Sequence, residues 1–177
     1  ADYGLFVDFL DISNPSYPSI LYNNHNFGQE MKAYTSLGNI VLFGVGDVYS
    51  NSSIMKIDLD VDSTAFSEIG FLDNWLLQMS LTNDSLYSLS YIYNVNEFLI
   101  HNATDIDNLT LLGNTTLTGL ESYVNFLVHD DFVYFTSEYQ NLSIYQVNSS
   151  YQLSFIQQYL FPRIIESIYF YNNYLFI

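Results

Sequence analysis

The chain repeats itself about every 44 residues. A period of that size constrains the fold more than any other feature, because each unit is too small to bury its own apolar face and must stack on the next. Three columns of residues keep step. An apolar strand start recurs at Leu5, Ile54, Phe98 and Leu142, spaced 49, 44 and 44. A hydroxyl residue leads into another strand at Ser19, Ser67, Thr110 and Ser154, spaced 48, 43 and 44. A polar turn residue precedes a strongly apolar strand at Asn39, Ser85, Asp131 and Asn173, spaced 46, 46 and 42. Between the last two columns lies one more short segment, seen at 77–81, 124–128 and 165–170, which makes four strands per unit. Asn83-Asp84, Asp130-Asp131 and Asn172-Asn173 stand where a tight hairpin needs residues that tolerate turn geometry.

Four antiparallel strands per unit of this length predict an all-β fold, a β-propeller of four-stranded antiparallel blades. The 17 Tyr and 14 Phe fit a pleated, half-buried surface and can fill the space between stacked sheets. No sustained helical stripe follows a capping box. The expected organisation is a single domain over 1–177, with repeats at about 5–53, 54–97, 98–141 and 142–177 and residues 1–4 completing the last blade or a preceding one. Reading from Asn173 through Ile177 directly into Ala1 through Leu5 reproduces the flow from Asp131 to Leu142, so the two ends read as complementary halves of one blade. A closed ring of four blades and a segment of a longer ring both satisfy that pattern. Four blades is the lower limit for closure, so a segment of a longer ring is the expectation.

Charge narrows the partners. Lys32, Lys56 and Arg163 are the basic residues against 19 acidic ones, a formal net charge of −16. Binding to nucleic acid needs a basic stripe to neutralise phosphates and is excluded, and anionic membrane surfaces are disfavoured for the same reason. Basic proteins, copies of the chain itself, divalent cations and neutral carbohydrates remain. This segment has no apolar run near the ~18 residues of a membrane span. The best run is Ile40 to Val45, and there is no cationic start followed by a hydrophobic stretch.

With no cysteine, neither a disulfide framework nor a thiolate metal site can form. Compartment is read instead from Asn-x-Ser/Thr sequons at Asn51, Asn83, Asn102, Asn108, Asn114, Asn141 and Asn148, with Asn14 excluded by the proline after it. With 18 Asn and 29 Ser plus Thr in 177 positions, chance gives 18 × 29/177, about 3, and the chain has seven. Asn51 and Asn141 precede the first strand of a repeat, Asn102 and Asn148 follow it, and Asn83 lies in a hairpin. Such turns can carry a bulky glycan, and an extracellular or cell-surface glycoprotein is expected.

The stretch Asp11-Ile12-Ser13-Asn14-Pro15-Ser16-Tyr17-Pro18, entered from Leu5-Phe6-Val7, resembles the LVIVD repeat of bacterial and archaeal cell-surface β-propellers, a group similar to secreted archaeal propeller domains distantly related to WD repeats. The Asp and Asn make side-chain turns to their own backbone, and the prolines stiffen an exit that must not form ladder bonds. Later units replace this corner with Asp60-Val61-Asp62-Ser63, Thr104-Asp105-Ile106-Asp107 and Asn148-Ser149-Ser150. Scarce Lys and Arg with dense sequons and no disulfides also resemble the composition of surface proteins from thermophilic or acidophilic archaea. The resemblance implies a cell-surface propeller without specifying one activity.

Asp58, Asp60 and Asp62 alternate as in a calcium loop, although Ser63 replaces the usual glycine and Ile69 the twelfth-position acid, so calcium is the single cofactor considered. His25, His101 and His129 lack ligand spacing for zinc. A glycosidase needs two carboxylates facing one cleft, and Asp47, Glu97, Glu121 and Glu138 cannot be ranked as a pair. No nucleophile elbow, phosphate loop or dinucleotide fingerprint occurs. No catalytic or cofactor-binding residue is therefore assigned. The expected function is a structural or interaction module in a surface coat, filament or adhesion assembly. The alternative is a carbohydrate-active enzyme or sugar-binding propeller, with Trp75 and the tyrosines lining the sugar surface.

Overall fold

The computed structural model describes residues 6–11, 17, 19–26, 30–46, 51–72, 74–92, 95–117, 123–137, 139–172 and 174–177. Side chains are described for all of these except 6–11, 19–26, 30, 32, 62–65, 92, 123 and 124. Sixteen strands and no helix occur among the described residues. They fall into two compact units, 1–75 and 76–177.

In the first unit, β1 (Phe6–Asp11) pairs antiparallel with β2 (Ser19–Asn26) as a two-stranded sheet. A four-stranded meander follows, formed by β3 (Glu30–Leu37), β4 (Ile40–Gly46), β5 (Ser52–Asp58) and β6 (Asp62–Leu72). Phe43, Val45 and Ile57 are buried in it, and Met31, Val41, Met55, Leu59 and Phe66 pack on them. The β5–β6 register jumps from Asp58↔Asp62 to Ile57↔Phe66, so 63–65 are extra residues and Ser67 lies inside the strand. The Asp11–Pro18 corner lies outside the described residues apart from Asp11, which ends β1, and Tyr17.

The second unit holds two more meanders of the same kind. One is β7 (Trp75–Leu81), β8 (Ser85–Ile92), β9 (Val95–Asn102) and β10 (Thr110–Leu117). The other is β11 (Tyr123–His129), β12 (Phe132–Ser137), β13 (Asn141–Val147) and β14 (Leu153–Leu160). A short hairpin, β15 (Tyr169–Tyr171) and β16 (Tyr174–Phe176), ends the unit. The four-stranded sheets thus begin two strands before each repeat counted from Ile54, Phe98 or Leu142. A periodic sequence carries its period but not its phase.

Alternation of side chains gives each sheet two faces, and both are used. Leu89, Phe98 and Ile100 of the β7–β10 sheet pack on Phe126, Val133, Phe135 and Tyr145 of the β11–β14 sheet. Phe98 meets Phe126 and Phe135 edge to face at 5.1 and 5.2 Å, and Phe135 meets Tyr145 likewise at 5.5 Å. Such contacts contribute about 0.5–1.5 kcal/mol each beyond area burial. The opposite face of β11–β14 offers Leu127, Tyr134 and Leu142 to Ile168 and Leu175. His129 stacks on Phe170 at 4.0 Å on that side.

The hairpins explain how the register is set. Leu37↔Ile40, His129↔Phe132 and Tyr171↔Tyr174 close two-residue turns whose first residue has positive φ: Gly38 at 58°, Asp130 at 52° and Asn172 at 53°. Gly, Asp and Asn are the residues that tolerate that conformation. In the β7–β8 hairpin, Thr82 N–H donates to the Ser85 carbonyl at 2.9 Å, so Asp84 occupies the place of Asn39, Asp131 and Asn173. The polar-turn column read from sequence is therefore one residue late at Ser85.

Candidate functional site

At one end of the β11–β14 sheet its two hairpins, Asp130-Asp131 and Asn148–Gln152, lie side by side. They are joined by the Val147 N–H, which donates to the Asp131 carbonyl at 2.8 Å. The second hairpin is held by an Asx turn: Asn148 Oδ1 accepts the Ser150 and Gln152 amides at 2.9 and 3.1 Å. Tyr151 is left at φ 56°. From the neighbouring sheet, Gly113 brings its backbone against this turn, so close that a methyl group there would overlap the Tyr151 carbonyl. Thr115 Oγ1 accepts the Leu153 amide at 2.9 Å. These contacts frame a cavity of about 310 Å³ lined by Tyr87, Asp130, Asp131, Val147, Asn148, Ser149 and Tyr151.

Its electrostatics are acidic and hydroxyl-rich. Burial holds the Tyr87 phenol above its ordinary value; the Ser85 hydrogen bond opposes this, while Asp131 and Tyr151 add to it. Tyr134, on the sheet beneath, is raised by burial and then by Asp130. Both stay neutral phenols that donate and accept hydrogen bonds. A second cavity, about 470 Å³, is formed almost wholly by the connection 161–167 with Ile177, and it contains Arg163 and Glu166.

The residues singled out by sequence scatter over this framework. Asn51, Asn83, Asn108, Asn114 and Asn148 are exposed, and Asn102 and Asn141 are half-buried. Asn51 stands before β5, Asn83 is in the β7–β8 hairpin, Asn108 is between β9 and β10, and Asn114 is on the outer strand β10. Asp58 ends β5 and its Oδ1 accepts the Asp60 amide at 3.0 Å, an Asx turn like that of Asn148. Asp60 is exposed, and the Asp62 side chain lies outside the described residues. No three His, Asp or Glu side chains converge among the described residues. Of the four carboxylates named for hydrolysis, Glu97 lies on β9, and Asp47, Glu121 and Glu138 are outside the described residues. Trp75 begins β7, away from the cavity lining. His25 lies on β2, His101 is in β9, and His129 is covered by Phe170.

No protein-family model matches the chain, and no curated protein matches it. Solved structures do. A protein from Lactobacillus plantarum is 18% identical with a TM-score of 0.63, over 88% of this chain and 49% of that one. The computationally designed protein Ika8 is 10% identical with a TM-score of 0.61, over 89% and 45%. Sqt1 of Saccharomyces cerevisiae is 15% identical with a TM-score of 0.54, over 75% and 36%. The fold is a β-propeller. The chain spans less than half the length of each of these structures.

In propeller terms, sequence reading missed the shared role of three residues at or just after the end of a blade's third strand, which it read as a calcium candidate and two sequons. Asp58, Asn102 and Asn148 hold their hairpins by Asx turns to Asp60, Thr104 and Ser150. Their spacing of 44 and 46 was available as a further column. The cavity itself had no sequence signal, because Tyr87 is contributed by one blade and the other lining residues by the next. Two carboxylates, an amide, a hydroxyl and two phenols form a hydrogen-bonding concavity at the small end of ligand-pocket volumes, suited to a neutral polyhydroxylated or cationic group.

Proposed function

We propose that this propeller is an extracellular, N-glycosylated interaction or scaffold module of a cell surface, of the LVIVD-repeat kind. Exposure of five of the seven sequon asparagines, on turns and an outer strand, is the observation that carries the reading. The acid excess, with three basic residues in 177, supports partners that are proteins or carbohydrates rather than nucleic acid. Recognition would come from hairpins held on rigid sheets, as loops on a stiff scaffold generally provide. The test is glycopeptide mass spectrometry of protein from its native source. Occupied sites at Asn51, Asn108 and Asn114 are expected, and bare asparagines at all seven would refute the reading.

Sugar binding is the second reading, favoured by Tyr87 and Tyr151 lining the same cavity as Asp130 and Asp131. A screen of immobilised neutral oligosaccharides against the chain and a Tyr151→Ala variant separates the two readings. Binding that Tyr151→Ala abolishes would favour the lectin-like role.

A further inference from the structure

Each four-stranded sheet ends, in chain order, on an edge strand: β6, β10 or β14. All three bulge at the same place, with Ile69, Leu112 or Ile156 as the extra residue, so the bulge does not set them apart. Their side chains do. An edge strand carries a row of backbone groups ready to pair with another chain, and proteins blunt it with charge or polar residues. β6 presents the exposed Glu68, and β10 the exposed Asn114 and Thr116. β14 has no charge, glycine or proline, the composition that favours strand-to-strand association, and all its residues after Leu153 are exposed. Phe155, Ile156 and Leu160 stand at 59%, 50% and 76%.

Two of these three side chains face a complete blade and are exposed all the same. Phe155 pairs with Tyr145 and meets its ring edge to face at 5.4 Å, and Tyr145 packs in the core shared with β7–β10. Asn141, Ser143 and Tyr145 alternate onto that face, so Leu160, opposite Asn141, shares it. At the start of β14 the Leu153 amide is tied to Thr115 of β10, and from Ser154 onward the ladder partners of the strand lie on β13. Charge selects the occupant of the edge. The longest stretch of the chain without an acid runs over 139–165, holds β13 and β14, and has Arg163 as its one basic residue. Two copies at −16 repel through the rest of their surface and meet here without carboxylate facing carboxylate. A basic partner finds no acid on β14 to bind, whereas a second copy brings a strand equally uncharged and equally apolar.

We propose that β14 is the docking edge for a second copy of this chain, the two β14 strands pairing antiparallel so that two four-stranded blades join into one sheet. A strand paired antiparallel with its own copy is a two-fold contact, in which each residue meets the same neighbours from both sides. One strand per copy makes a small interface, below about 1,200 Å² in total, so the dimer is concentration-dependent. Added salt strengthens it, because screening removes the repulsion between the acids around it. The contact needs neither a glycan nor a compartment, so its failure leaves the glycoprotein reading untouched.

The test is sedimentation equilibrium of the unglycosylated chain over a dilution series at low and high salt. The mass should climb from 20.5 kDa toward twice that value with concentration, and at lower concentration in high salt. Ile156→Glu with Leu160→Glu, both positions exposed, should keep the far-ultraviolet circular dichroism and weaken association at least about tenfold. Leu111→Glu with Thr116→Glu adds the same charge to exposed positions of β10 and should leave association nearly unchanged. Because the chain has no cysteine, Gln158→Cys puts one thiol on each β14 edge, and a short bismaleimide should link two copies, whereas Leu111→Cys should stay unlinked. A mass fixed at 20.5 kDa at every concentration in both salts would overturn the proposal. So would a dimer equally sensitive to the two double variants, or cross-linking through Leu111→Cys and not through Gln158→Cys.

Discussion

Gln78 should contribute to stability out of proportion to a single polar side chain. Its Nε2–H donates to the Phe126 carbonyl at 3.0 Å, and its Oε1 accepts the Phe126 N–H at 2.6 Å. It thereby serves as a one-residue strand on the free edge of β11, between the β7–β10 and β11–β14 blades. Gln78→Met keeps the volume and removes both bonds. Each backbone group left unmet costs roughly 1–3 kcal/mol when fully buried. This edge is partly buried, so about 2 kcal/mol for the pair is the reasonable sum. At roughly 2–4 °C per kcal/mol for a chain of this size, melting should fall by about 4–8 °C. Gln78→Glu separates charge from shape. An ionised carboxylate still accepts from the Phe126 N–H but faces the carbonyl it should donate to, which raises its folded-state pKa above the free value of about 4.3. A raised acid is destabilising when ionised, so the deficit relative to wild type is full above the folded pKa, shrinks as pH falls through it, and closes below the free value. Each comparison is made with wild type at the same pH, because 19 acidic residues move the baseline. Fluorescence of Trp75, the single tryptophan, three residues from the substitution, provides the melting curve. A Met variant within about 1 °C of wild type, or a Glu deficit that does not change with pH, would refute the bridge.

Three further outcomes follow from buried groups. Gly113→Ala must push the Tyr151 turn away, whose carbonyl carbon would stand 2.9 Å from the new methyl. A loss of about 1–3 kcal/mol is expected in chemical denaturation, and no shift in midpoint would show that the turn yields freely. Thr136 Oγ1 is buried without a hydrogen-bond partner among the described residues, so the isosteric Thr136→Val should raise stability by about 1 kcal/mol in the same assay; a loss would mean that the hydroxyl is satisfied. Burial holds His101 below its ordinary pKa, and its Nδ1 has no partner among the described residues. The unfolded chain therefore takes up a proton first as pH falls below about 6.5, and stability drops from there. His101→Gln should flatten that part of the stability–pH curve, and an unchanged slope would assign the drop to other groups.

The sequence made the blade legible because its residues are constrained once per blade. Strand starts such as Phe98 and Leu142 recur since each must enter the layer between its own blade and the next, and hairpins recur because Gly38, Asp130 and Asn172 must all accept positive φ. Phase was not legible, since a repeat counted from Leu5 or from Met31 has the same period. The β6 insertion at 63–65 and the one-residue slip at Ser85 were hidden for a related reason: a hydroxyl or turn residue one position away satisfies the column equally well. The cavity was invisible because Tyr87 and Tyr151 are 64 positions apart and belong to different blades, and nothing periodic links them.

Turn chemistry also bears on how the sequons should be weighed. Asn102 ends one third strand and Asn148 directly follows another, where Asp58 makes the same Asx turn without being a glycosylation acceptor. Their asparagines, with Thr104 and Ser150 two residues on, would suit this hairpin in any compartment, so part of the sequon excess belongs to the fold. Asn51, Asn108 and Asn114 stand elsewhere in their blades, before β5, between β9 and β10, and on β10, and the glycoprotein reading rests chiefly on them. Asn148→Asp isolates the distinction. The carboxylate keeps both acceptor bonds to Ser150 and Gln152, as Asp58 does to Asp60, so the melting temperature of the unglycosylated chain should stay within about 2 °C of wild type. Asn148→Ala removes both bonds and should cost about 1–2 kcal/mol. If Asn148→Asp proves as damaging as Asn148→Ala, the turn is not what selects asparagine there, and the sequon at Asn148 regains its full weight as a glycosylation signal.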